Sequence, residues 1–327
     1  MSGTGQPVAG PALSAPASVV QTVPRRVRDR LRPYLMLAKI DVPDYWLAVV
    51  VAWSATRPAG LAAAVPSAVL QTLAVASGYW ATVALDDVQG WRDGSDATNY
   101  AETAERPRAR KPVVTGELDE RRARRFALAT LGLSVLAVLG SLVIAPYTPW
   151  WLLVAALGTV AVCAQYSSGL KVSYRGPGCS ELLLFASMAL GVLIPAVSLH
   201  HGASTVDVAE AVVAGLWMVK VAVCSNSHDV PGDTVAGRRT TAVVLSAQAN
   251  RRYVASLFAA EWAATAAFLG LGLLPWPTAL FLVPCYVLQV RQLCRGPVRG
   301  DWLAARRLGF LALRLGAAGL VAANLLT

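Results

Sequence analysis

The chain contains nine apolar windows of about 17–25 residues, the length that an α-helix needs to cross a hydrocarbon layer of about 30 Å. They lie at residues 38–56, 62–85, 125–145, 149–166, 180–199, 208–228, 253–274, 276–293 and 303–325. Only 15% of the 327 residues are charged, whereas a soluble domain usually carries about 25%. The sequence therefore predicts an all-α, polytopic membrane protein with nine transmembrane helices.

The composition argues against three other classes of protein. Hydrophobic residues make up 55% of the chain, which does not suit a cytosolic enzyme or a disordered regulator. The five cysteines are an odd number without metal-ligand spacing, so we expect reduced packing residues rather than the disulfides of a secreted domain. Residues 1–24 are uncharged and rich in Gly, Pro, Ala and Ser, which predicts a disordered tail before one membrane domain at residues 25–327.

The positive charges predict which side of the membrane each loop occupies. If the N-terminus is cytoplasmic, the cytoplasmic segments hold 26 of the 29 Lys and Arg residues, and the opposite side holds only Arg57. This asymmetry follows the positive-inside rule and predicts a cell-membrane protein with an external C-terminus. It also accounts for the net charge of +10 without a nucleic-acid partner. Lys220 falls inside a window, and we expect it to form a structural ion pair with Glu181 or Glu261.

Two acidic segments follow the second and sixth windows, on the predicted cytoplasmic side. The first reads ALDDVQGWRDGSD and the second CSNSHDVPGDTVAGRRT. Their candidate metal ligands are Asp86, Asp87, Asp93, Asp96, Asn226, Asp229 and Asp233. Carboxylates with interleaved cations suit Mg²⁺, which takes one or two carboxylates and completes its shell with water and phosphate oxygens. An amphiphilic diphosphate fits such a site, with its head at the membrane surface and its tail between helices.

The local context of these carboxylates differs. Asp86 and Asp87 end an apolar window, where a carboxylate without a role is costly. Asp93 and Asp96 lie beside glycines in a polar loop, where a carboxylate that is only solvated is as common as one with a functional role. Asp229 is followed by Pro-Gly, which is expected to end its helix.

From about residue 30 onwards, the order of these segments resembles the UbiA-type membrane prenyltransferase superfamily. The first segment resembles the family pattern N-D-x-x-D-x-x-x-G-x-D, aligned at Asp86, Asp87, Gly90, Gly94 and Asp96. The second resembles D-x-x-D-x-x-x-D followed by G-x-R-T, aligned at Asn226, Asp229, Asp233, Gly237, Arg239 and Thr240. The resemblance implies nine helices around a central cavity, with both motifs on cytoplasmic loops.

The resemblance also implies roles for individual residues. The implied catalytic carboxylates are Asp86, Asp87, Asp229 and Asp233. The same four, with Asn226, are the implied Mg²⁺ ligands, and Asp93 and Asp96 are further candidates. The family's R-P-x-x-x-G segment is matched by Lys111, Pro112 and Gly116, and its loop after the fourth helix by Tyr166 and Lys171. The implied diphosphate-binding residues are Lys111, Tyr166, Lys171 and Arg239.

Three positions depart from the family pattern. Asp86 replaces the first Asn, Gly90 replaces the second Asp, and Asn226 replaces an Asp of the second motif. Because Gly90 has no side chain, the first motif lacks one of the carboxylates that would bind metal in the family pattern. Asp86 or Asp93 is expected to compensate, since they would share a face if the helix continued.

The expected function is Mg²⁺-dependent transfer of an isoprenoid chain from an allylic diphosphate to an aromatic, quinone-precursor or other lipophilic acceptor. The expected partners are the prenyl diphosphate, the acceptor and the lipid bilayer. Some superfamily members look like terpene cyclases, which need no acceptor, and the altered first motif keeps that alternative open. A transporter or a structural membrane protein is more remote, because transporters place ionisable sites near the bilayer midplane.

Overall fold

The computed structural model describes residues 27–42, 44–56, 58–101 and 106–326, and these residues form helices without any strand. The predicted disordered tail at residues 1–24 lies outside this part of the chain. The helices are α1 (Val27–Ala38), α2 (Leu47–Ser54), α3 (Pro58–Arg92), α4 (Ser95–Asn99), α5 (Glu120–Ile144), α6 (Trp150–Ala164), α7 (Val172–Arg175), α8 (Cys179–His200), α9 (Thr205–His228), α10 (Val230–Val235), α11 (Thr241–Val244), α12 (Ala247–Gly270), α13 (Pro277–Leu293) and α14 (Trp302–Leu326), with a 3₁₀ turn at Arg108–Arg110 and a π-helical turn at Cys294–Val298.

Each apolar window overlaps one of these helices, so the all-α membrane fold is confirmed. Within the described ranges, six helices are long and apolar enough to cross a membrane. They are Ala62–Arg92 (within α3), α5, α8, α9, α12 and α14. The first window holds only the eight residues of α2, and α6 is a shorter apolar helix of 15 residues. The number of nine membrane-spanning helices therefore remains a prediction. The fold shows a polytopic helical membrane protein.

Local sequence signals set where the helices begin and end. The Asp119 carboxylate accepts from the Arg122 N–H and caps α5 at 2.8 Å. Ser204 and Asp207 form a reciprocal capping box at the start of α9. The helix α9 ends at His228, and the Pro-Gly pair that follows it begins the short α10. The predicted break after the sixth window is therefore confirmed.

The helices pack around a central cavity and face outwards with apolar side chains. The largest core cluster joins α2, α8, α9, α13 and α14, while α3 packs along α5 on the other side. On the outer surface, Leu136, Val143 and Trp150 are 68%, 84% and 79% exposed. Large apolar side chains in contact with solvent are unfavourable in water, so this surface suits the interior of a lipid bilayer.

Candidate active site

One cavity of about 320 Å³ contains charged residues from both acidic segments. Its walls come from α3, α5, α6, α8, α9 and α14, which contribute mostly apolar side chains. Its polar end lies where α3 and α9 end. The charged residues there are Lys39, Asp86, Asp96, Arg106, Lys111, Asp229, Asp233, Arg238 and Arg306. Segments that are far apart in sequence thus supply both signs of charge to one site.

Adjacent carboxylates of the first motif point in different directions. Asp86 lines the cavity, where its Oδ1 accepts from Ser167 Oγ at 2.5 Å and contacts Arg238 Nη2 at 3.4 Å. Asp87 does not line it and is 1% exposed. Its Oδ1 accepts from Lys39 Nζ at 2.9 Å and Lys111 Nζ at 2.7 Å. Asp87 thus holds two lysines at the cavity wall and presents no oxygen to the cavity.

The gap left by Gly90 is covered by Asp96. The helix α3 continues past Gly90 to Arg92 and is broken at Gly94, whose φ is +79°. A Cβ at Gly90 would lie 2.6 Å from the Asp96 carboxyl group. Asp96 pairs with Lys111 at 2.8 Å and lines the cavity. The carboxylate that packs at this place therefore comes from α4, rather than from Asp86 or Asp93.

The electrostatics of this cluster follow from its burial. Burial raises the pKa of Asp96 to about 6, because Lys111 offsets it only in part and Asp87 adds repulsion. Burial by itself lowers the pKa of Lys111, but Asp87 and Asp96 outweigh it and hold the pKa well above its usual value. Lys111 therefore stays cationic, and Asp96 takes up a proton at mildly acidic pH.

The second motif is held against the first by short helices. Asp229 Oδ1 contacts Arg106 Nη1 at 2.8 Å. Asp233 Oδ1 contacts Arg238 Nε at 3.8 Å, so one guanidinium joins Asp233 to Asp86. Burial raises the pKa of Asp233 to about 7, because Arg238 only partly compensates and Asp229 repels the charge. The two motifs thus face each other across a single polar end, close enough to share one arginine.

Two other predicted ligands are engaged elsewhere. Asn226 lines the cavity, but its amide donates to Ser180 Oγ at 3.1 Å and Glu181 Oε1 at 3.3 Å. Asp93 does not line the cavity and accepts a hydrogen bond from the Tyr174 hydroxyl. Burial raises the pKa of Asp93, but this bond and those from Ser95 outweigh it and lower the pKa. Asp93 is therefore a fixed structural carboxylate, and its expected compensation for Gly90 does not match its position.

The four residues that were predicted to bind diphosphate do not all lie at the cavity. Lys111 and Tyr166 line the cavity, whereas Lys171 and Arg239 do not. Arg239 is exposed, and Lys171 lies over the Tyr174 ring at 5.2 Å. Arg238, the neighbour of Arg239, lines the cavity instead, after the turn at Gly237, where φ is +67°.

Other cavity cations had no separate signal in the sequence. They are Lys39, Arg106 and Arg306. Arg106 lies five residues before Lys111 in the same basic loop, so the clustering of cations there was the available hint. Lys39 follows α1 and Arg306 lies on α14, so only packing brings them to the cavity.

The carboxylates of the polar end are few and partly paired, which bears on their fit to Mg²⁺. Among the described residues, no group of three His, Cys, Asp or Glu side chains gathers as a ready metal site. Asp96 and Asp229 each pair with a cation through one carboxylate oxygen, at 2.8 Å in both cases. An ion that takes one or two carboxylates and completes its shell with water and phosphate fits this arrangement. The site therefore suits Mg²⁺ together with a diphosphate.

Comparisons with known proteins agree on the family and the fold. A sequence model described as the UbiA prenyltransferase family matches residues 46–314, while no curated protein sequence matches the chain. A UbiA homolog from Archaeoglobus fulgidus, solved with DMAPP and Mg²⁺, is similar with 18% identity and a TM-score of 0.60, over 88% of this chain and 99% of that one.

Two further solved structures have the same architecture. The apo structure of a UbiA homolog from Aeropyrum pernix K1 is 15% identical with a TM-score of 0.64, over 91% of this chain and 98% of that one. A structure described for digeranylgeranylglyceryl phosphate synthase is 10% identical with a TM-score of 0.62, over 91% and 100%. At these identities the likeness concerns the fold alone.

Proposed function

Because the chain belongs to the UbiA prenyltransferase family, we propose that it transfers an isoprenoid chain from an allylic diphosphate to a lipophilic acceptor in a Mg²⁺-dependent reaction. The observation that carries this proposal is the form of the cavity. Carboxylates and cations of both motifs meet at one end, and the apolar walls continue from there between the helices. A ligand with a diphosphate head and a hydrocarbon tail is complementary to both parts.

The residues proposed to hold Mg²⁺ are Asp86, Asp96, Asp229 and Asp233, whose carboxylates line the polar end. When bound, Mg²⁺ neutralises the negative charge that develops on the departing diphosphate. The positions of Asp87 and Asp93 support a different role for both, since neither lines the cavity. Asn226 is proposed to position this site through its bonds to α8 rather than to ligate a metal.

The cations of the polar end are proposed to bind the diphosphate oxygens. Lys111, Arg106 and Arg238 each pair with a carboxylate of the same cluster. On ligand binding, a diphosphate oxygen would replace the carboxylate oxygen as the partner of each cation. Charge-assisted hydrogen bonds of this kind are stronger than neutral ones and fix the leaving group in one orientation. These same donors stabilise the charge that builds up as the carbon–oxygen bond breaks.

The carbon that loses the diphosphate becomes a carbocation and needs a different environment. Tyr45 and Tyr79 both line the cavity, and their rings stack with centroids 4.7 Å apart. An aromatic face attracts a cation with about 2 kcal/mol or more in a water-excluded site. Apolar residues of α6 and α8 complete the wall and exclude water, which would otherwise quench the cation. Because water is excluded, the acceptor is the nucleophile that attacks the carbocation.

We propose that the polar end of the cavity faces the cytoplasm in the cell membrane. The distribution of Lys and Arg supports this orientation. Both acidic motifs lie at one end of the long helices, where a soluble diphosphate can enter. This position does not suit a transporter, whose ionisable site lies near the bilayer midplane.

The test is to incubate purified protein with C10 to C20 allylic diphosphates and Mg²⁺, first without an acceptor and then with aromatic or quinone-precursor acceptors. We expect no turnover until an acceptor is added, followed by a prenylated acceptor and diphosphate. The variant Asp86→Asn serves as the inactive control. A cyclic hydrocarbon or alcohol formed without acceptor would contradict transfer and identify a terpene cyclase.

A further inference from the structure

The loop between α6 and α8 places one aromatic ring beside the polar end of the cavity. Its short helix α7 contains Tyr174, which does not itself line the cavity. The loop folds back on the end of α6, because the backbone N–H and the hydroxyl of Ser173 both donate to the Tyr166 carbonyl at 2.9 Å. The residue before Tyr174 is therefore tied to a residue that lines the cavity.

The Tyr174 hydroxyl is bound by a carboxylate of the first acidic segment. It donates to Asp93 Oδ2. Asp93 is itself held in place, because its Oδ1 accepts from the Ser95 N–H at 3.1 Å and Ser95 Oγ at 2.7 Å, and Gln89 Nε2 donates to its Oδ2 at 3.3 Å. Burial raises the pKa of Tyr174 above its usual value, so the hydroxyl keeps its proton and remains a donor. The end of α3 thus fixes the position of the ring.

The face of this ring contacts Arg238, whose guanidinium carbon lies 4.5 Å from the ring centroid. The nearest carboxylates lie farther from the guanidinium than the about 2.7–2.9 Å of a close charge-assisted hydrogen bond. The distances are 3.4 Å to Asp86 and 3.8 Å to Asp233. Arginine stacks on aromatic faces within about 6 Å of the centroid. The ring therefore supports a guanidinium that neither carboxylate binds closely.

We propose that Tyr174 is a positioning residue for diphosphate binding, which orients the Arg238 guanidinium and is itself held by Asp93. This inference rests on the proposed prenyl-diphosphate function, in which Arg238 binds diphosphate oxygens. A contact with the ring face leaves the N–H groups of the guanidinium available, so they can exchange Asp86 for a phosphate oxygen. Asp93 accordingly contributes to substrate binding through Tyr174 and Arg238, without touching the ligand.

The experiment measures dissociation constants by calorimetry in detergent, with Mg²⁺ and unreactive prenyl S-thiolodiphosphates of C10, C15 and C20. The analogue that binds the wild type most tightly is then used for every variant. The variant Tyr174→Leu, which removes the ring and the hydroxyl, is made both in the wild type and in Arg238→Ala. The matched control is Tyr147→Leu in the same two backgrounds. Tyr147 is 38% exposed, contacts the His201 ring at a centroid distance of 5.8 Å and does not line the cavity.

Tyr174→Leu should raise the dissociation constant about fivefold in the wild type, because the guanidinium loses its aromatic support. In Arg238→Ala the same change should have an effect below about twofold, since no guanidinium remains for the ring to orient. Tyr147→Leu should have an effect below about twofold in both backgrounds.

A second variant, Tyr174→Phe, keeps the ring and removes its bond to Asp93. It should raise the dissociation constant roughly two- to threefold, and only while Arg238 is present. This variant tests the same coupling if Tyr174→Leu does not fold.

An increase for Tyr174→Leu that persists in Arg238→Ala would overturn the proposal, because the ring would then support the site independently of Arg238. An unchanged dissociation constant in the wild-type background would overturn it as well, as would an equal shift in Tyr147→Leu. If no analogue bound even to the wild type, the proposed function itself would fail, which is a distinguishable result.

Discussion

The molecule contains two sets of buried charges that differ in how completely they are satisfied. Between α9, α12 and α13, Glu261 is 0% exposed and accepts from Lys220 Nζ at 2.6 Å. It also accepts from Trp217 at 2.9 Å and Tyr286 at 3.1 Å. In the cavity, by contrast, Asp229 contacts one cation and Asp96 shares its cation with Asp87. Glu261 thus has several donors inside the protein and forms a closed set, whereas Asp229 and Asp96 each contact one cation beside the cavity and form an open set.

This difference separates structural from ligand-binding charges among identical residue types. A buried carboxylate without enough donors costs several kcal/mol, so it persists only where something else repays that cost. Glu261 has its donors within the protein, and the predicted ion pair of Lys220 with Glu261 is confirmed. The cavity carboxylates have fewer donors within the protein, which suits the proposed site for Mg²⁺ and diphosphate.

The largest expected effect breaks the closed set. Glu261→Ala leaves the Lys220 ammonium buried and unpaired, which should lower the free energy of unfolding by about 3–5 kcal/mol. The measurement is thermal or chemical unfolding in detergent. The double variant Lys220→Met with Glu261→Leu should recover most of the loss, because two apolar side chains need no partner. If Glu261→Ala unfolded like the wild type, the closed set would not be structural.

The next effect concerns the open set. Asp86→Asn should reduce kcat/KM about 100-fold or more, which corresponds to about 3 kcal/mol of transition-state stabilisation, and leave the unfolding temperature unchanged or higher. Removing a carboxylate from a functional site commonly does not destabilise the fold. A parallel loss of folded protein and activity would place Asp86 with Glu261 instead.

Asp87 tests the boundary between the two sets, since it belongs to the first motif yet is buried beside two lysines. Asp87→Asn should lower both activity and stability, because Lys39 and Lys111 lose their shared counter-charge. We expect a stability loss of about 1–3 kcal/mol, since the amide oxygen can still accept a hydrogen bond. Unfolding curves beside those of Asp86→Asn give the comparison. Unchanged stability would mean that Asp87 acts only on the ligand.

Two adjacent arginines sharpen the comparison further. Arg238→Ala should raise the KM for the prenyl diphosphate roughly tenfold, because a charge-assisted hydrogen bond contributes about 1.5–3 kcal/mol. Arg239→Ala should change KM by less than about twofold, as is usual for an exposed charge away from the site. The reverse order of effects, measured by steady-state kinetics, would restore the motif-based assignment of Arg239.

The smallest effect is expected at Gly90. A methyl group there meets the Asp96 carboxyl group, so Gly90→Ala should raise the Mg²⁺ concentration for half-maximal activity roughly fivefold, the equivalent of about 1 kcal/mol of overpacking. Gly90→Asp should be no better, since its carboxylate would compete with Asp96. A Mg²⁺ titration in which only Gly90→Asp lowered the requirement would show that Asp96 does not replace the missing ligand.

The sequence by itself determined the features that depend on local pattern. Apolar windows of membrane-spanning length located the helices, and the break at Asp229 followed from Pro231 and Gly232, because proline lacks a backbone N–H and is favoured in the first turn of a helix. The family motifs located both acidic segments, and the same polar end indeed contains Asp86 and Asp229. Each of these features depends on a single continuous stretch of the sequence.

The tertiary structure decided which of several neighbouring residues faces the cavity. Successive residues on a helix point about 100° apart, and pairing with Lys39 and Lys111 holds Asp87 away from the cavity that Asp86 lines. A left-handed glycine at Gly237 likewise turns Arg238 inwards and leaves Arg239 exposed. Asp96 lies over Gly90 because α4 folds back on α3. Such choices depend on contacts between segments distant in sequence, and no local pattern records them.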